Sequence, residues 1–592
     1  MKQKHSLFKF FVFSSLLIFL LPSISWASGS PDTQKVETKI VVTPTTTWTP
    51  STIRAIEPPR FIPRVMGRNG VVASASSIAP SVGLKVLMDG GNAIDAAVTT
   101  AAMLTVSEFY ASGIGGHGIM MLYLAETGEV KCLDWGGGLP KNWSIDQLGN
   151  PPTAPDSESV LTTIMPGTLA GWAEALKQHG TISLAEALAP AIKYAEEGIP
   201  VNKSVADTIN GYQDLIVVRP EASKIWMPNG RPPVEGEMLV FKDLAETYKK
   251  IAKEGPDIFY KGELADKIVK YLNDNGSRFT KEEFANYKPV WQDVLSTTYR
   301  DDYEVFVVKN QNYSPVILTM LNIWENFDMK ELGLYSVEDI HLVIETMKVA
   351  LADRTTYYGD PAFNDVPYDI LISKEYAKKI AHGIDMMRAS SPKPGDVASF
   401  AVSNLNSRDN ETTTNLAVVD KDHNVCIITQ TLGDYLGNRH IVPGTGITLN
   451  SEGEYFDMVP VNGTNYPEPG KKPENQMGPA IVLKNGKIHM GIGAPGGTMI
   501  PQAIALLIER IIDHEFPIQD AIELPRIRYR ESGWTEIERG IDWPILEKLW
   551  QMDHKIKTPG FLAGLSGVVI DTDTGVMEGG AEPMRDYTRV AY

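Results

Sequence analysis

Along the chain, apolar residues recur with a helical period in some segments and a strand period in others, and the two kinds of segment alternate from about Val65 onward. Helices are predicted where a capping residue precedes an apolar run, at Asn92, Ser183 and Ser336. Strands are predicted at Ile119–Leu124, Tyr303–Val308, Leu416–Val419 and Val425–Thr431, with a hairpin around Asn485-Gly486. The mixture predicts α/β layers that contain antiparallel hairpins.

The first 60 residues lack this alternation. Residues 1–27 combine N-terminal lysines, an apolar stretch from Phe10 to Leu21 and the small-residue pattern Ser25-Trp26-Ala27, the layout of a secretory signal peptide cleaved after Ala27. A retained single-helix anchor is the alternative, although the stretch is short for a membrane span. Residues 28–60 are rich in Thr and Pro without apolar periodicity, which predicts a linker. We therefore expect an exported protein, periplasmic or secreted, without a stable membrane anchor.

Composition narrows the possible partners. The 592 residues include 55 Lys and Arg against 73 Asp and Glu, and the resulting charge of −18 argues against a nucleic acid partner. The two cysteines, Cys132 and Cys426, exclude a disulfide scaffold and a multi-cysteine metal site, and whether they pair is open. The ten histidines show no metal-binding spacing, so one such as His341 is expected to be a satisfied core group. No cofactor or metal is expected.

Two motif matches favour ordinary structure. Gly113 to Gly118 fits GxGxxG but follows a predicted helix and precedes a strand, the reverse of the order at a dinucleotide site. Ser390-Ser391-Pro392-Lys393 fits the Ser-x-x-Lys spacing of serine acylases, but its prolines oppose the helix that would place Ser and Lys on one face. We expect a loop there.

The segment from Glu411 to Asp420 places three threonines, Thr412 to Thr414, at the start of an apolar strand. Threonine is a common strand residue, which is a sufficient structural explanation. Alternatively, one of these threonines becomes a new N-terminus, whose α-amino group, with a pKa of about 8, serves as the base for its own hydroxyl.

At this segment the chain resembles the gamma-glutamyltransferase (gamma-glutamyl transpeptidase) family. The matching stretches follow the family order and are Asp89–Ala97, Gly113–Gly118, Met165–Gly171, Ala352–Arg354, Gly359–Pro361, Thr413-Thr414 with Val418–Asp420, Gly493–Gly497 and Gly579–Pro583. The resemblance implies an N-terminal nucleophile hydrolase with an α/β, four-layer αββα sandwich, made as one precursor. Self-cleavage between Thr412 and Thr413 would leave a large subunit, 61–412, and a small catalytic subunit, 413–592, in one intertwined fold.

The resemblance also implies catalytic roles. Thr413 is the nucleophile, Thr431 hydrogen-bonds it, and Thr414 helps to orient it. Gly496 and Gly497 supply the backbone amides of an oxyanion hole, where a side chain would obstruct approach of the backbone.

The substrate pocket departs from the family pattern. The Arg that grips the glutamyl α-carboxylate in the family falls at Gly136, and bidentate Arg recognition has no neutral substitute. Arg439 is a candidate replacement for the missing charge, although we expect it on the solvated surface. The other substrate-binding positions hold Asn475 and Gln476 for paired serines, Glu452 and Tyr455 for the Gln and Asp that hold the α-amino group, and Gly433 for an Asn.

Three functions remain open. The first is an exported gamma-glutamyltransferase or glutathione hydrolase with altered pocket residues. The second is an acylase or amidohydrolase of the same superfamily that acts on another acyl amide. The third is a self-cleaved, catalytically weak protein used for binding or scaffolding. The expected partners are a small amide or peptide substrate and two subunits from one precursor.

Overall fold

A computed structural model describes residues 62–149, 152–309, 313–391, 411–584 and 586–592. The predicted signal peptide and the predicted linker lie outside these residues. The helices are α1 (Ala79–Met88), α2 (Ala93–Ser107), α3 (Thr168–His179), α4 (Leu184–Glu197), α5 (Lys203–Gly211), α6 (Gln213–Val217), α7 (Pro220–Trp226), α8 (Lys242–Glu254), α9 (Asp257–Tyr260), α10 (Glu263–Asp274), α11 (Lys281–Asn286), α12 (Pro315–Trp324), α13 (Met329–Leu332), α14 (Val337–Tyr357), α15 (Tyr368–Leu371), α16 (Lys374–Gly383), α17 (Met499–Ile512), α18 (Ile518–Glu523) and α19 (Trp543–Gln551).

The strands are β1 (Val65–Gly67), β2 (Gly70–Ser74), β3 (His117–Leu124), β4 (Glu129–Asp134), β5 (Ile199–Pro200), β6 (Met238–Leu239), β7 (Val290–Gln292), β8 (Val294–Tyr299), β9 (Tyr303–Val308), β10 (Glu411–Asp420), β11 (Val425–Asp434), β12 (Ile441–Val442), β13 (Ile447–Thr448), β14 (Ala480–Lys484), β15 (Lys487–Gly493), β16 (Ile527–Tyr529), β17 (Thr535–Ile537), β18 (Ile556–Lys557), β19 (Ser566–Ile570), β20 (Met577–Ala581) and β21 (Thr588–Ala591).

Two seven-stranded antiparallel sheets form the centre of the fold. The first has the order β21-β2-β10-β11-β3-β4-β7, and the second has the order β1-β20-β19-β15-β14-β9-β8. Strand β10, which contains the three threonines, lies between β2 and β11 in the middle of the first sheet. Both sheets combine strands from before and after the predicted cut, so the two segments share each sheet.

Side chains of alternate strand residues face different layers, as the pleat of a sheet requires. Ala417 and Ile427 of the first sheet pack against Ile481 and Val568 of the second. Their even-numbered neighbours, such as Leu416, pack beneath helices that include α2 and α4. Helices α12, α14 and α17 cover the outer face of the second sheet. The order of layers is therefore helix, sheet, sheet, helix, which confirms the αββα sandwich that the resemblance implies.

The helix predicted after Asn92 is α2, and hydrogen bonds of a capping box fix its N-terminus. The Asn92 side chain accepts hydrogen bonds from the amides of Ile94 and Asp95, and the Asp95 carboxylate accepts the Asn92 amide at 2.9 Å. The amide of Ala93 donates to Oδ2 of Asp420 at 2.9 Å, which joins the start of α2 to the end of β10. The helices predicted after Ser183 and Ser336, the four predicted strands and the predicted hairpin are likewise present.

The two cysteines are free and buried in neighbouring parts of the first sheet. Cys132 faces the second sheet, whereas Cys426 faces the helices, so their side chains leave the sheet on opposite sides. Burial raises the pKa of both thiols. They therefore do not form a disulfide.

The weaker motif matches also take ordinary positions. Gly113 to Gly118 links α2 to β3, the helix-to-strand order expected from the sequence. Ser390 and Ser391 lie outside any helix, and Pro392 and Lys393 fall outside the described residues. Among the helices described, none combines the length and apolar character that crossing a membrane demands.

Candidate active site

The pairing of β10 with β11 is interrupted at Thr413. Thr412 lies opposite Gly433 and Thr414 lies opposite Gln430, so one extra residue of β11 is accommodated across from Thr413. Such a bulge bends the strand locally and re-aims its side chains. The irregularity falls at the predicted nucleophile, in the middle of an otherwise regular buried sheet.

The Thr431 hydroxyl contacts the carbonyl group at the predicted cut. Its Oγ1 donates to the Thr412 carbonyl oxygen at 2.7 Å and accepts the Gly433 amide at 2.8 Å. The amide thereby orients the hydroxyl. A donor aimed at a carbonyl oxygen withdraws electron density from the carbon and stabilises the oxyanion that forms on attack.

Gly433 is required by its surroundings. Its φ angle is 96°, a region that side chains rarely adopt, and a Cβ there would lie 2.5 Å from Oγ of Ser451. Ser451 Oγ in turn accepts the Asp434 amide at 2.9 Å. An Asn at position 433, as in the family pattern, would adopt an unfavourable φ and would displace the Ser451 hydroxyl.

Thr413 and Thr414 project to opposite faces of β10. The Thr414 hydroxyl is buried next to Gln430 on the helix side and has no hydrogen-bond partner among the described residues. Thr413, like Thr431, faces the second sheet, by the alternation that places Ala417 there. In the uncut chain Thr414 therefore does not contact the nucleophile through its side chain, and its orienting role stays a prediction.

Gly496 and Gly497 form the turn between β15 and α17. Their φ angles are 121° and 58°, both in the region that favours glycine. The turn leads into a 14-residue helix, whose N-terminal amides favour developing negative charge. The two residues thus have the backbone freedom and the helix position that an oxyanion hole requires.

Asn415 contacts the end of β15, just before this turn, from the strand that carries Thr413. A Cβ on Gly493 would lie 1.9 Å from Oδ1 of Asn415, so β15 approaches β10 two residues after Thr413. Asn415 also accepts the Thr429 hydroxyl at 2.9 Å and donates to Oγ of Ser566 at 2.6 Å. This buried amide fixes the separation of the two sheets beside the candidate site.

Position 136 carries no side chain to grip a carboxylate. The Gly136 amide donates to Oδ1 of Asp134 at 2.7 Å, and Oδ2 of Asp134 accepts from Gln292 at 2.8 Å and from Nζ of Lys472 at 3.0 Å. A Cβ on Gly138 would lie 2.2 Å from the Gly470 carbonyl oxygen, so this glycine run packs on the backbone before Lys472. A half-buried lysine, already paired with Asp134, is thus close to where the family has Arg.

Arg439 is buried, so the expectation of a solvated surface position is wrong. Its Nη2 lies 2.5 Å from Oδ2 of Asp434, its Nη1 donates to Oγ of Ser157 at 3.3 Å, and its guanidinium stacks 4.9 Å from the Tyr212 ring centre. A φ of 63° at Arg439 belongs to the tight turn that returns its side chain toward β11. Burial raises the pKa of Asp434, and the Arg439 charge opposes that shift. The guanidinium is therefore engaged by Asp434.

The remaining predicted substrate residues are also buried. Glu452 and Tyr455 lie on one short 3-10 turn that follows Ser451, and Oε1 of Glu452 is 2.9 Å from Nε2 of His117. The backbone carbonyl oxygen of Asn475 accepts the Tyr313 amide at 3.1 Å. Asn475 and Gln476 are both buried. Their roles toward a substrate stay predictions.

Comparison with known proteins agrees with this geometry. The family model described as Gamma-glutamyltranspeptidase matches residues 79–592. The chain belongs to this family. It is 33% identical over 541 residues to a glutathione hydrolase proenzyme of Escherichia coli, covering 88% of this chain and 91% of the relative. It is 33% identical over 537 residues to the acylase ACY 1 proenzyme of Pseudomonas sp. strain SE83, covering 89% and 94%.

Among solved structures, the cephalosporin acylase of Bacillus halodurans superposes with a TM-score of 0.82 at 30% identity, covering 90% of this chain and 98% of that one. This gamma-glutamyltranspeptidase family member is thus a precursor-type amide hydrolase of the N-terminal nucleophile class, with both subunits cut from one chain. Its family contains glutathione hydrolases and acylases of equal similarity to it. Family membership alone therefore does not determine which acyl group the substrate carries.

A second polar cluster lies in the other half of the fold. His341 bonds to Nε2 of His554 at 2.7 Å and to the Asp385 carbonyl oxygen at 2.9 Å, and Glu345 lies close to both rings. These groups have the types and spacing of metal ligands, but the Lys348 ammonium lies 2.7 Å from Oε1 of Glu345. The ammonium balances the charge of that carboxylate, and both ring nitrogens of His341 have hydrogen-bond partners. His341 is thus a satisfied core histidine, as predicted.

The sequence did not point to Asn415, His117 or Ser451, although each contacts the site. Asn415 could have been suspected from the sequence, because a polar amide inside an apolar strand needs buried partners. His117 could also have been suspected, since it interrupts a run of glycines. Nothing in the sequence around Ser451 indicated that it contacts the site.

Proposed function

We propose that Thr413 is the nucleophile of two reactions, cleavage of its own chain and hydrolysis of a substrate amide. The observation that carries the proposal is the 2.7 Å hydrogen bond from Thr431 to the Thr412 carbonyl oxygen, at the bulge that contains Thr413. The peptide bond between Thr412 and Thr413 thus has a hydroxyl donor already in place on its carbonyl oxygen.

In the first reaction the Thr413 hydroxyl oxygen attacks the Thr412 carbonyl carbon, and Thr431 stabilises the resulting oxyanion. The C–N bond then breaks, the nitrogen takes a proton, and the acyl group is left on the Thr413 oxygen as an ester. Water cleaves the ester to a Thr412 carboxylate and restores the hydroxyl. The products are two chains and a free α-amine on Thr413.

In the second reaction the new α-amine takes the hydroxyl proton as Thr413 attacks a substrate amide. The amides of Gly496 and Gly497 stabilise the oxyanion, and the amine product leaves with the proton. Water or an acceptor amine then resolves the acyl-enzyme. The amine of Thr413 serves as the base, so the reaction needs no histidine.

Two substrate classes have support. A gamma-glutamyl substrate such as glutathione is favoured by the curated glutathione hydrolase relatives. An acyl amide without an α-carboxylate is favoured by Gly136, which removes the Arg clamp, and by the acylase relatives. We propose gamma-glutamyl amide hydrolysis and transfer as the principal function, with acylase activity as the second candidate.

Purified wild-type protein and the Thr413→Ala and Thr412→Ala variants test the nucleophile. We expect two fragments from the wild type and from Thr412→Ala, and a single chain without activity from Thr413→Ala. An uncut wild-type chain that behaves like Thr413→Ala would rule out both amide-hydrolysing functions. Turnover of gamma-glutamyl, glutaryl and phenylacetyl p-nitroanilides then separates the substrate classes. Faster hydrolysis of the glutaryl or phenylacetyl compound, whose acyl groups are not α-amino acids, than of the gamma-glutamyl compound would favour the acylase.

We also propose that the chain is exported after cleavage following Ala27, as the lysines and apolar stretch of residues 1–27 suggest. N-terminal sequencing of the large subunit from the native cell envelope should begin at Ser28. A large subunit that begins at Met1 and sediments with membranes would identify an anchor instead.

A further inference from the structure

A cavity outside the candidate active site lies among the helices that cover the first sheet. It has a volume of 680 Å³ and lies between α3, the start of α4, α9 and the segment that joins α11 to β7. Cavities that bind small molecules have volumes of about 300–1,000 Å³. None of the described residues that line this cavity has a part in the proposed chemistry. The cavity is therefore large enough for a small molecule and separate from the reacting groups.

Aromatic and aliphatic side chains form most of the lining. The rings of Tyr260 and Tyr287 stack with centroids 5.7 Å apart and planes inclined by 24°. The aliphatic residues in the lining include Ala170, Ala173, Leu176, Ile182, Leu184 and Pro256. Flat aromatic groups pack well against such side chains. An aromatic ring is thus the kind of body that this cavity fits.

Ammonium groups outnumber carboxylates in the lining. Lys177, Lys261 and Lys288 contribute ammonium groups, whereas Glu174 and Asp257 contribute carboxylates. Nζ of Lys177 lies 3.9 Å from Oε2 of Glu174, and Nζ of Lys261 lies 3.0 Å from Oδ1 of Asp257. Within the part of the chain that the structure describes, Lys288 has no such carboxylate partner. The cavity can therefore balance the charge of a monoanionic ligand, although the whole chain carries a charge of −18.

The two tyrosines connect the cavity with the backbone around Gly136. The Tyr287 hydroxyl donates to the Trp135 carbonyl oxygen at 2.8 Å, directly before Gly136. The Tyr260 hydroxyl donates to the Pro166 carbonyl oxygen at 3.0 Å. A ligand that displaces these rings would therefore move the backbone beside position 136, where the family pattern has its Arg clamp.

We propose that the cavity is a second ligand site, which binds a small aromatic monocarboxylate and is coupled to the substrate pocket through Tyr287. The aromatic body would pack on the tyrosine and aliphatic lining, and the carboxylate would pair with Lys288. Occupancy would change the affinity for a substrate and leave Thr413 in place, because Tyr287 bonds to the residue after β4 and not to the β10–β11 pair. The coupling rests on the proposed amide hydrolysis, whereas ligand binding does not.

Calorimetric titration of 2-naphthylacetate into the uncut Thr413→Ala chain tests binding without turnover. We expect one site per chain with a Kd below about 1 mM. Ala173→Trp fills the cavity with an indole ring and should abolish binding. Lys288→Ala should raise Kd about three- to fivefold, whereas Lys330→Ala on α13, outside the cavity, should change it less than about 1.5-fold. Thermal melting shows whether each variant folds.

Kinetics of the cut wild type on gamma-glutamyl p-nitroanilide, with and without saturating 2-naphthylacetate, test the coupling. KM should change about fivefold or more, the lower end of typical coupling between sites, while kcat changes less than about twofold. Tyr287→Phe keeps the ring but loses the hydrogen bond to Trp135, so it should bind 2-naphthylacetate while its KM changes less than about twofold. Ala173→Trp should not respond to 2-naphthylacetate, which separates this cavity from binding in the active site.

Absence of binding, or equal binding by Ala173→Trp, would overturn the inference. So would binding that leaves KM unchanged, or an effect on KM that persists in Tyr287→Phe. If the wild type cuts itself but hydrolyses no p-nitroanilide, the proposed function fails and the coupling fails with it, whereas calorimetry on the uncut chain still decides whether the cavity is a ligand site.

Discussion

Replacing Thr431 by Val should slow self-cleavage while leaving the fold in place. Valine has nearly the shape of threonine but no hydroxyl, so the Thr412 carbonyl oxygen loses its donor at 2.7 Å. The Gly433 amide also loses its acceptor at 2.8 Å. The substitution thus removes one stabilising group from the oxyanion and leaves one amide without its partner.

The rate effect follows from the first of these losses. Removing one oxyanion donor typically costs roughly 10² to 10³ in rate, or about 3–4 kcal/mol. The unpaired Gly433 amide costs about 1–3 kcal/mol of folding free energy, which a domain of this size can lose without unfolding. We therefore expect a folded Thr431→Val precursor whose half-life is 100 to 1,000 times that of the wild type.

Cell-free synthesis with a radioactive pulse, followed by gel electrophoresis, measures the conversion of precursor into two fragments. Thr431→Ser keeps the hydroxyl and should cut within about tenfold of the wild-type rate. Thr429→Val is the matched control, because Thr429 lies on the same strand and face but donates to Asn415 at 2.9 Å. If Thr431→Val matured as fast as Thr429→Val, the hydrogen bond to the Thr412 carbonyl would not assist the cut.

Three further results are expected. Gly496→Ala places a side chain at a φ of 121° and should reduce anilide hydrolysis at least about 100-fold, while self-cleavage, which uses another donor, continues in the same preparation. In the uncut Thr413→Ala chain, Arg439→Met leaves Asp434 buried without its cationic partner and should lower the free energy of unfolding, measured in urea, by about 3–5 kcal/mol. Arg388→Met, which breaks an exposed ion pair, should lower it by less than about 1 kcal/mol. Burial lowers the pKa of His554 to about 3 from an ordinary value near 6.5, so at intermediate pH the unfolded chain binds a proton that the folded protein does not. Stability should therefore fall by about 2 kcal/mol between pH 7 and pH 5, and a His554→Gln variant with the same pH slope as the wild type would contradict this assignment.

The elements that the sequence predicted are those whose signals are local. The Asn92 capping box involves atoms within three residues, and the bonds it predicts are the bonds observed. The hairpin at Asn485-Gly486 is equally local, because both residues adopt the positive φ angles that its turn needs. Such signals do not depend on the rest of the fold, so reading them from the chain is reliable.

The contacts within the site could not be predicted in the same way, because they join residues that lie far apart in the sequence. Glu452 and His117 are far apart in the chain, and only the folding of the 3-10 turn after Ser451 onto the start of β3 brings their side chains within 2.9 Å. Arg439 shows a different failure. An arginine in a polar loop is usually solvated, but here a positive φ turns it back onto Asp434, whose burial a sequence pattern does not reveal.

In the proposed function, the residues for substrate recognition and those for catalysis come in part from different sides of the predicted cut in the sequence. Thr413 and Thr431 lie on neighbouring strands of the small subunit, where their geometry is fixed by the sheet itself. His117 and Gly136 precede the cut and lie at the start of β3 and just after β4. If Gly136 lies in the substrate pocket, as we propose, a change there would alter what the pocket can hold without moving the β10–β11 pair. Substrate preference can thus diverge within the family while β10, the strand that carries Thr413, stays the same. Such divergence accounts for a chain that resembles glutathione hydrolases and acylases equally.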